Sequence, residues 1–187
     1  MKHFLQSYSI TPVEIVKLDG YISSNYKIRS NKNELFVFKH YTDLAELELI
    51  HAENKLLEEI SPDLSYQIPE AIDRGGLTVH QHDDQTFSRL VPYIEGKFLD
   101  EVEHTNELLY NFGQAIAEMD LALEGKRISV IESRKLIWDI QHSLLNKSKA
   151  NYIHESDRRK LVDFYFDQFE QFALPKYQNL RYSIIHG

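Results

Sequence analysis

Lys39 and Glu53 are the two residues whose types and placement could do chemistry together. Lys39 closes the run Glu34-Leu35-Phe36-Val37-Phe38-Lys39, whose nearly unbroken apolar character predicts a strand buried on both faces. A buried ammonium is too costly to keep charged without an anionic partner. Glu53 is the candidate, since it lies four residues from both Leu49 and Leu57 and three from Leu56, at the edge of an inward helical face. Glu58 and Glu59 point outward on that helix, and Glu46 is taken up as a cap. Such a pair could hold the lysine against phosphate oxygens. The same two residues could equally be a solvated strand-end lysine and a solvated helical glutamate, because exposed pairs contribute little.

Other groups with reactive residue types are weaker. His80-x-His82 followed by Asp83 and Asp84 has the right types for a metal, but it falls at a hairpin tip where such side chains are normally solvated, and no metal site is assigned. Trp138 reads as a packing anchor in preference to a substrate-stacking platform, and Asp139 as a helix cap.

The elements that must position Lys39 and Glu53 follow from periodicity. Val13 to Asp19, Asn25 to Ser30 and Leu35 to His40 read as three antiparallel strands, separated by Asp19-Gly20 and by Asn31-Lys32-Asn33. Asp43, with Glu46 three residues on, starts a helix whose apolar face carries Leu49, Leu56 and Ile60 until Ser61-Pro62 ends it. Further strands are expected at Ile68 to Ile72, Leu77 to Gln81 and Thr86 to Val91. From about residue 100 the pattern turns helical. Leu108, Leu109, Phe112, Ile116, Met119 and Leu123 share one face, with Gly125 as C-terminal cap; further helices are expected over Ile137 to Leu145 and Ser156 to Phe172. Strands followed by helices indicate an α+β architecture. The change of character sets domains of 1–95 and 96–187, with Tyr93-Ile94-Glu95-Gly96-Lys97 as the hinge.

The chain has 187 residues, 42% hydrophobic and 27% charged, with only 7 Gly and 5 Pro, so order is expected almost throughout. A net charge of -8 with scattered basic residues argues against nucleic acid as a partner. The absence of cysteine excludes disulfides, thiolate metal sites and cysteine nucleophiles. The N-terminus turns polar too soon for a signal peptide, and no apolar run approaches the roughly 20 residues that span a bilayer. A cytoplasmic protein without membrane partners is the expectation.

The hairpin segment Leu18-Asp19-Gly20-Tyr21-Ile22-Ser23-Ser24-Asn25-Tyr26-Lys27-Ile28 is similar to the first hairpin of hydroxylysine-kinase-like members of the aminoglycoside phosphotransferase and choline kinase superfamily. Other landmarks follow in the family's order: the strand lysine on Lys39, the helix glutamate in Glu-x-x-Leu-Leu on Glu53, and the interlobe segment Pro92-Tyr93-Ile94-Glu95-Gly96. Phe112-Gly113-Gln114-Ala115-Ile116-Ala117-Glu118-Met119-Asp120 resembles the family's Leu-Gly-x-x-Leu-Ala-x-Leu-His helix, with Asp120 departing from the usual histidine. Trp138-Asp139 resembles a pair of the hydroxylysine-kinase-like branch, and Ser183-Ile184-Ile185-His186-Gly187 resembles the family's His-Gly-Asp loop up to its aspartate.

The resemblance implies a protein-kinase-like fold, with an antiparallel β N-terminal lobe bearing one helix and a truncated, mainly helical C-terminal lobe. It implies ATP-dependent phosphorylation of a hydroxyl on a small molecule, with magnesium required. Lys39 would grip phosphates and Glu53 would hold Lys39. Ser23 and Ser24 of the hairpin would donate to phosphate, although an ordinary polar turn accounts for them as well. The backbone of Tyr93 and Ile94 would read adenine, and His186 would brace the catalytic loop. The family's catalytic aspartate and metal ligands would follow Gly187, so this chain is expected to position a nucleotide without completing chemistry. A non-catalytic nucleotide-binding or interaction module is the alternative expectation, and self-association through the incomplete helical lobe is a further one.

Overall fold

A computed structural model describes residues 1–82, 84–135 and 139–185. Asp83, Trp138 and His186 lie outside the described residues, as does the start of the helix expected from Ile137. The elements run α1 (Lys2–Ser7), β1 (Pro12–Leu18), β2 (Ser24–Ser30), β3 (Leu35–Tyr41), α2 (Leu47–Ile60), β4 (His80–Gln81), β5 (Phe87–Pro92), α3 (Asn106–Leu123), α4 (Ser129–Glu132) and α5 (Ser156–Gln168). One antiparallel sheet takes the order β1-β2-β3-β5-β4. Two compact units form, one of Met1–Ile131 with the residues from Ile184, the other Glu132–Ser183.

The period of two along a strand sorts the sheet's side chains between two cores. Phe38 is paired with Tyr26 and Leu90, and this row joins Ile28 in a cluster with Phe4, Leu5 and Ile10. Phe4, Leu5 and Tyr8 come from or just after α1, a short helix that covers this face and that periodicity did not reveal. The next register places Tyr41 opposite Phe87, and both pack with Ile50 of α2 and Val79. Lys39, opposite Asn25 and Arg89, therefore shares the α2 face of the sheet. Its strand is less enclosed than the apolar run suggests: Leu35 and Val37 are half-buried on this face, which is only partly covered, and Phe36 is half-buried on the opposite one.

Several elements differ from expectation for local reasons. Asp43 caps through its carboxylate, which accepts from the Ala45 N–H at 2.9 Å, but a 3-10 turn over Leu44–Glu46 precedes α2. Ile68 to Ile72 forms no strand, since Pro69 lacks an N–H and the Glu70 N–H turns back to the Ile68 carbonyl at 2.9 Å. Only the Ile72 N–H reaches the Leu90 carbonyl, at 2.8 Å. On α3, Leu123 is buried with Leu56, Ile60 and Ile68, and Met119 and Ile184 pack against them. Leu109, Phe112 and Ile116 stay exposed, because α3 meets the core only at its C-terminal end.

In the second unit, the expected helix at residue 140 is a 3-10 run, Ile140–Tyr152, entered through Asp139, whose carboxylate accepts from the Gln141 N–H at 3.0 Å. The helix expected to end before Pro175 continues past it through a π turn, Phe169–Ala173, and a 3-10 turn, Leu174–Asn179. Lys147 ties the 3-10 run to the later helix through Asp167 at 3.0 Å and Glu170 at 2.8 Å. Among the described residues, no helix is long and apolar enough to cross a membrane.

Ser88 on β5, fully buried, is bonded at once by His40 Nδ1 at 3.0 Å and His82 Nε2 at 2.9 Å. His80 lies edge-on to Phe4 and Tyr8 beside them. Burial lowers the pKa of His40, with His82 adding to the effect; burial and then Arg74 lower that of His80. A depressed folded pKa means that the unfolded chain binds more protons below its ordinary value of 6.5. Stability from these rings is therefore complete above about pH 6.5 and is lost as pH falls through the folded values. The melting temperature should fall between pH 7.5 and pH 5.5, and His40→Gln with His80→Gln should flatten that slope. An equally steep slope in the double variant would assign the effect to other groups.

Candidate functional site

The turn between β1 and β2 is held by its own side chains. Asn25 Nδ2 donates to the Asp19 carbonyl at 2.9 Å, and the Ser23 hydroxyl donates to Asn25 Oδ1 at 2.7 Å. A Cβ at Gly20 would clash with the Ser23 carbonyl and the Asn25 amide, so the turn closes only around glycine. Gly20→Ala should cost about 1–3 kcal/mol, the range for forced overpacking. It should also speed amide exchange over residues 20–25; unchanged exchange there would mean that the turn adapts without loss.

On the α2 face, Lys39 and Arg89 stand opposite each other on neighbouring strands. Arg89 is nearly inaccessible and spends its guanidinium on three acceptors: Tyr41 Oη at 3.1 Å, Asn54 Oδ1, and Glu53 Oε1 at 2.6 Å. Glu53 and Asn54 are adjacent on α2, so one arginine pins that helix to the sheet. Lys39 and Glu53, expected in direct or single-water contact, form no direct ion pair. Among the described residues, no carboxylate lies within 4.0 Å of the Lys39 ammonium, and Glu53 acts on it only through its field. The reason is geometric and chemical, since a planar guanidinium fixed by two other acceptors offers Glu53 a pre-organised donor. Burial lowers the Lys39 pKa, Arg89 lowers it further, and Glu53 offsets part of this. Tyr41 has its hydroxyl pKa raised by burial, with Arg89 opposing.

At the far end of β5, the Tyr93 N–H donates to the Leu35 carbonyl at 3.1 Å. Lys27 of β2 holds its ammonium 3.8 Å from the centre of the Tyr93 ring. The register of Lys27 with Val37, and of Val37 with Val91, puts Lys27 in the same set of alternate positions as Lys39 and Arg89. Lys27, Lys39 and Arg89 thus share this face with Glu53, and by the same register with the Arg29–Glu14 ion pair, inside a chain of net charge -8. Such a surface suits an anion.

Sequence reasoning placed Ser23, Ser24, Lys39, Glu53, Tyr93 and Ile94 at a site; all lie in the first unit, at the β1–β2 turn, on the α2 face or at the end of β5. It missed Arg89, Asn54 and Tyr41. A charged residue between Phe87 and Val91, in a strand buried on both faces, was the available signal. Among the described residues, no group of three or more His, Asp or Glu side chains could hold a metal.

A five-stranded antiparallel sheet with α2 on one face and the short α1 on the other, a lysine inside the third strand and a carboxylate on α2, is the kinase-like aminoglycoside phosphotransferase fold. The chain belongs to the phosphotransferase enzyme family, whose pattern matches residues 14–187. It is similar to hydroxylysine kinase of Xenopus laevis, 28% identical over 103 residues that cover 53% of this chain and 28% of that protein. It is similar to hydroxylysine kinase of Mus musculus, 26% identical over 102 residues that cover 53% of this chain and 27% of that one. The chain thus matches about a quarter of the length of these curated relatives. Among solved structures, amicoumacin kinase hAmiN in complex with AMP-PNP, Ca2+ and Ami superposes with a TM-score of 0.66 at 16% identity, over 97% of this chain and 55% of that one. Spectinomycin phosphotransferase APH(9)-Ia, in complex with ADP and spectinomycin, gives 0.54 at 14% identity, over 90% and 52%.

Proposed function

We propose that the protein to which this chain belongs transfers the γ-phosphoryl group of ATP to a hydroxyl of a small molecule, and that residues 1–95 hold the nucleotide. The observation that carries this reading is the half-buried Lys39 ammonium, left without a carboxylate on the α2 face between the closed β1–β2 turn and the Tyr93 end of β5. Family membership and solved relatives bound to AMP-PNP or ADP support it.

In this reading Lys39 binds phosphate oxygens. The backbone N–H groups of residues 20–25 and the Ser24 hydroxyl complete the phosphate cradle, while the Ser23 hydroxyl is engaged in closing the turn. The Tyr93 N–H is already bonded, so adenine meets the Tyr93 carbonyl and the Ile94 N–H. When bound, ATP would supply the phosphoryl group, with Lys39 and the turn N–H groups holding its phosphates, and magnesium would contribute charge neutralisation. No metal ligand is assigned among the described residues. A hydroxy-amino-acid acceptor is favoured by the likeness to hydroxylysine kinases.

Calorimetry with AMP-PNP and magnesium, followed by assay of phosphate transfer from ATP to hydroxylysine, tests the proposal. Binding by this chain is the expected result, with transfer expected of the protein to which it belongs. Binding without transfer to hydroxylysine or other hydroxy amino acids would favour a nucleotide-binding module, and no binding of AMP-PNP would overturn the reading. Self-association is part of the same proposal, supported by exposed Phe112, Phe164 and Phe172, and sedimentation over a range of concentrations measures it.

A further inference from the structure

We propose that Arg89 is a positioning residue of the phosphate site, holding Glu53 and Asn54 of α2 so that the Lys39 ammonium stays unpaired and available to an anion. The inference rests on the nucleotide reading above for the identity of the anion, but its geometry stands on its own. Arg89 and Lys39 are direct partners across β3 and β5, so their side chains leave the sheet on the same side and compete for whatever carboxylate α2 presents. Glu53 is that carboxylate, and it is 2.6 Å from the Arg89 guanidinium.

Arg89 wins the competition because its other donors are already fixed. Tyr41 Oη takes Nε–H and Asn54 Oδ1 takes a terminal N–H, which aims the remaining N–H group at Glu53. The guanidinium cannot shed its proton, whereas the neighbouring ammonium can. Two cations therefore share one carboxylate, and the excess positive charge sits on the group nearer to being neutral. The charged groups acting on Lys39 are Arg89 from β5 and Glu53 from α2. A phosphate oxygen arriving at Lys39 supplies the missing counter-charge without breaking the Arg89–Glu53 bond. This differs from a private Lys39–Glu53 pair, in which Glu53 itself would satisfy the lysine and an incoming phosphate would have to share it.

The two arrangements give opposite titration behaviour. A lysine paired with its own glutamate titrates at or above the ordinary 10.5; one left unpaired in this partly buried site titrates below it, through burial first and the fixed arginine second. The experiment is competitive acylation of the full chain with trace acetic anhydride across pH 7 to 11, reading Lys39 by mass spectrometry. The wild-type midpoint should lie below 10.5 and rise on adding AMP-PNP. In Arg89→Met the midpoint should move up, as Glu53 turns to Lys39, and AMP-PNP should bind about five- to tenfold more weakly, as expected for a phosphate contact whose cation has been partly neutralised. In Arg89→Lys, which keeps the charge, the midpoint should stay below 10.5. A purely structural role for Arg89 would lower stability in both variants without weakening AMP-PNP binding by the folded chain, since loss of the Arg89 charge alone lifts the Lys39 midpoint.

If Arg89→Met does not fold, the wild-type midpoint still decides, since a value at or above 10.5 overturns the proposal. A folded Arg89→Met variant with an unmoved midpoint does the same. Wild-type chain that titrates as expected but ignores AMP-PNP would leave Arg89 in its role and refute the nucleotide reading instead.

Discussion

Lys39→Ala should weaken AMP-PNP binding about 10- to 100-fold near pH 7.5, the loss that accompanies removal of one charge-assisted hydrogen bond to phosphate. The effect should be on affinity and not on folding. Lys39 is half-buried with no carboxylate within 4.0 Å among the described residues, so removing it leaves no orphaned partner and relieves the repulsion from Arg89. Calorimetry and thermal denaturation of the variant separate the two. Loss of binding with an unchanged or raised melting temperature is the expected pair of results. Because burial and Arg89 both depress the Lys39 pKa, wild-type affinity should also fall as pH rises through the depressed value, while Lys39→Ala should show no such fall.

Phe87→Ala should destabilise the first unit by about 3–5 kcal/mol, the usual cost of deleting a fully enclosed phenyl ring. Phe87 is inaccessible and stacks on Tyr41 with ring centroids 4.6 Å apart at 2°. Its loss opens a cavity between the sheet and α2 and loosens Tyr41, whose hydroxyl accepts from Arg89. Denaturant unfolding followed by far-ultraviolet circular dichroism measures the change. A cost below about 1 kcal/mol would mean that the α2 core collapses around the gap.

The fold was legible where periodicity was strong. β1, β2, β3, α2 and α3 lie close to where alternation and helical spacing put them, because each carries several turn or strand signals at once. α1 escaped because six residues are too few to show a period, and its helix owes its stability to Phe4 and Leu5 docking on a sheet face built later in the chain. The strand expected at Ile68 to Ile72 misled because apolar and β-branched residues flank Pro69, and the backbone donor that a ladder needs is missing there. On α3 a clean stripe of Leu109, Phe112 and Ile116 remains exposed, since amphipathicity says which residues would pack and nothing about how much partner surface reaches them.

The site was legible in part. Lys39 and the adjacent turn followed from strand position and from one glycine between Asp19 and Tyr21. The partner of Glu53 did not follow, because pairing was argued from the helix and one strand alone. Arg89 lies 48 residues beyond Tyr41 in the chain, and only the β3–β5 register brings it opposite Lys39. A long-range register of that kind is set by tertiary packing, and local spacing carries no trace of it.

The claim that a nucleotide lies on the α2 face of the sheet is tested most directly by titrating uniformly 15N-labelled chain with AMP-PNP and magnesium while following its amide resonances. The account predicts the largest shifts at Gly20 to Asn25, at Lys39, and at Tyr93 and Ile94, with all of them saturating at one ligand concentration. Shifts confined to residues 140–179, or no shifts at millimolar AMP-PNP, would contradict it.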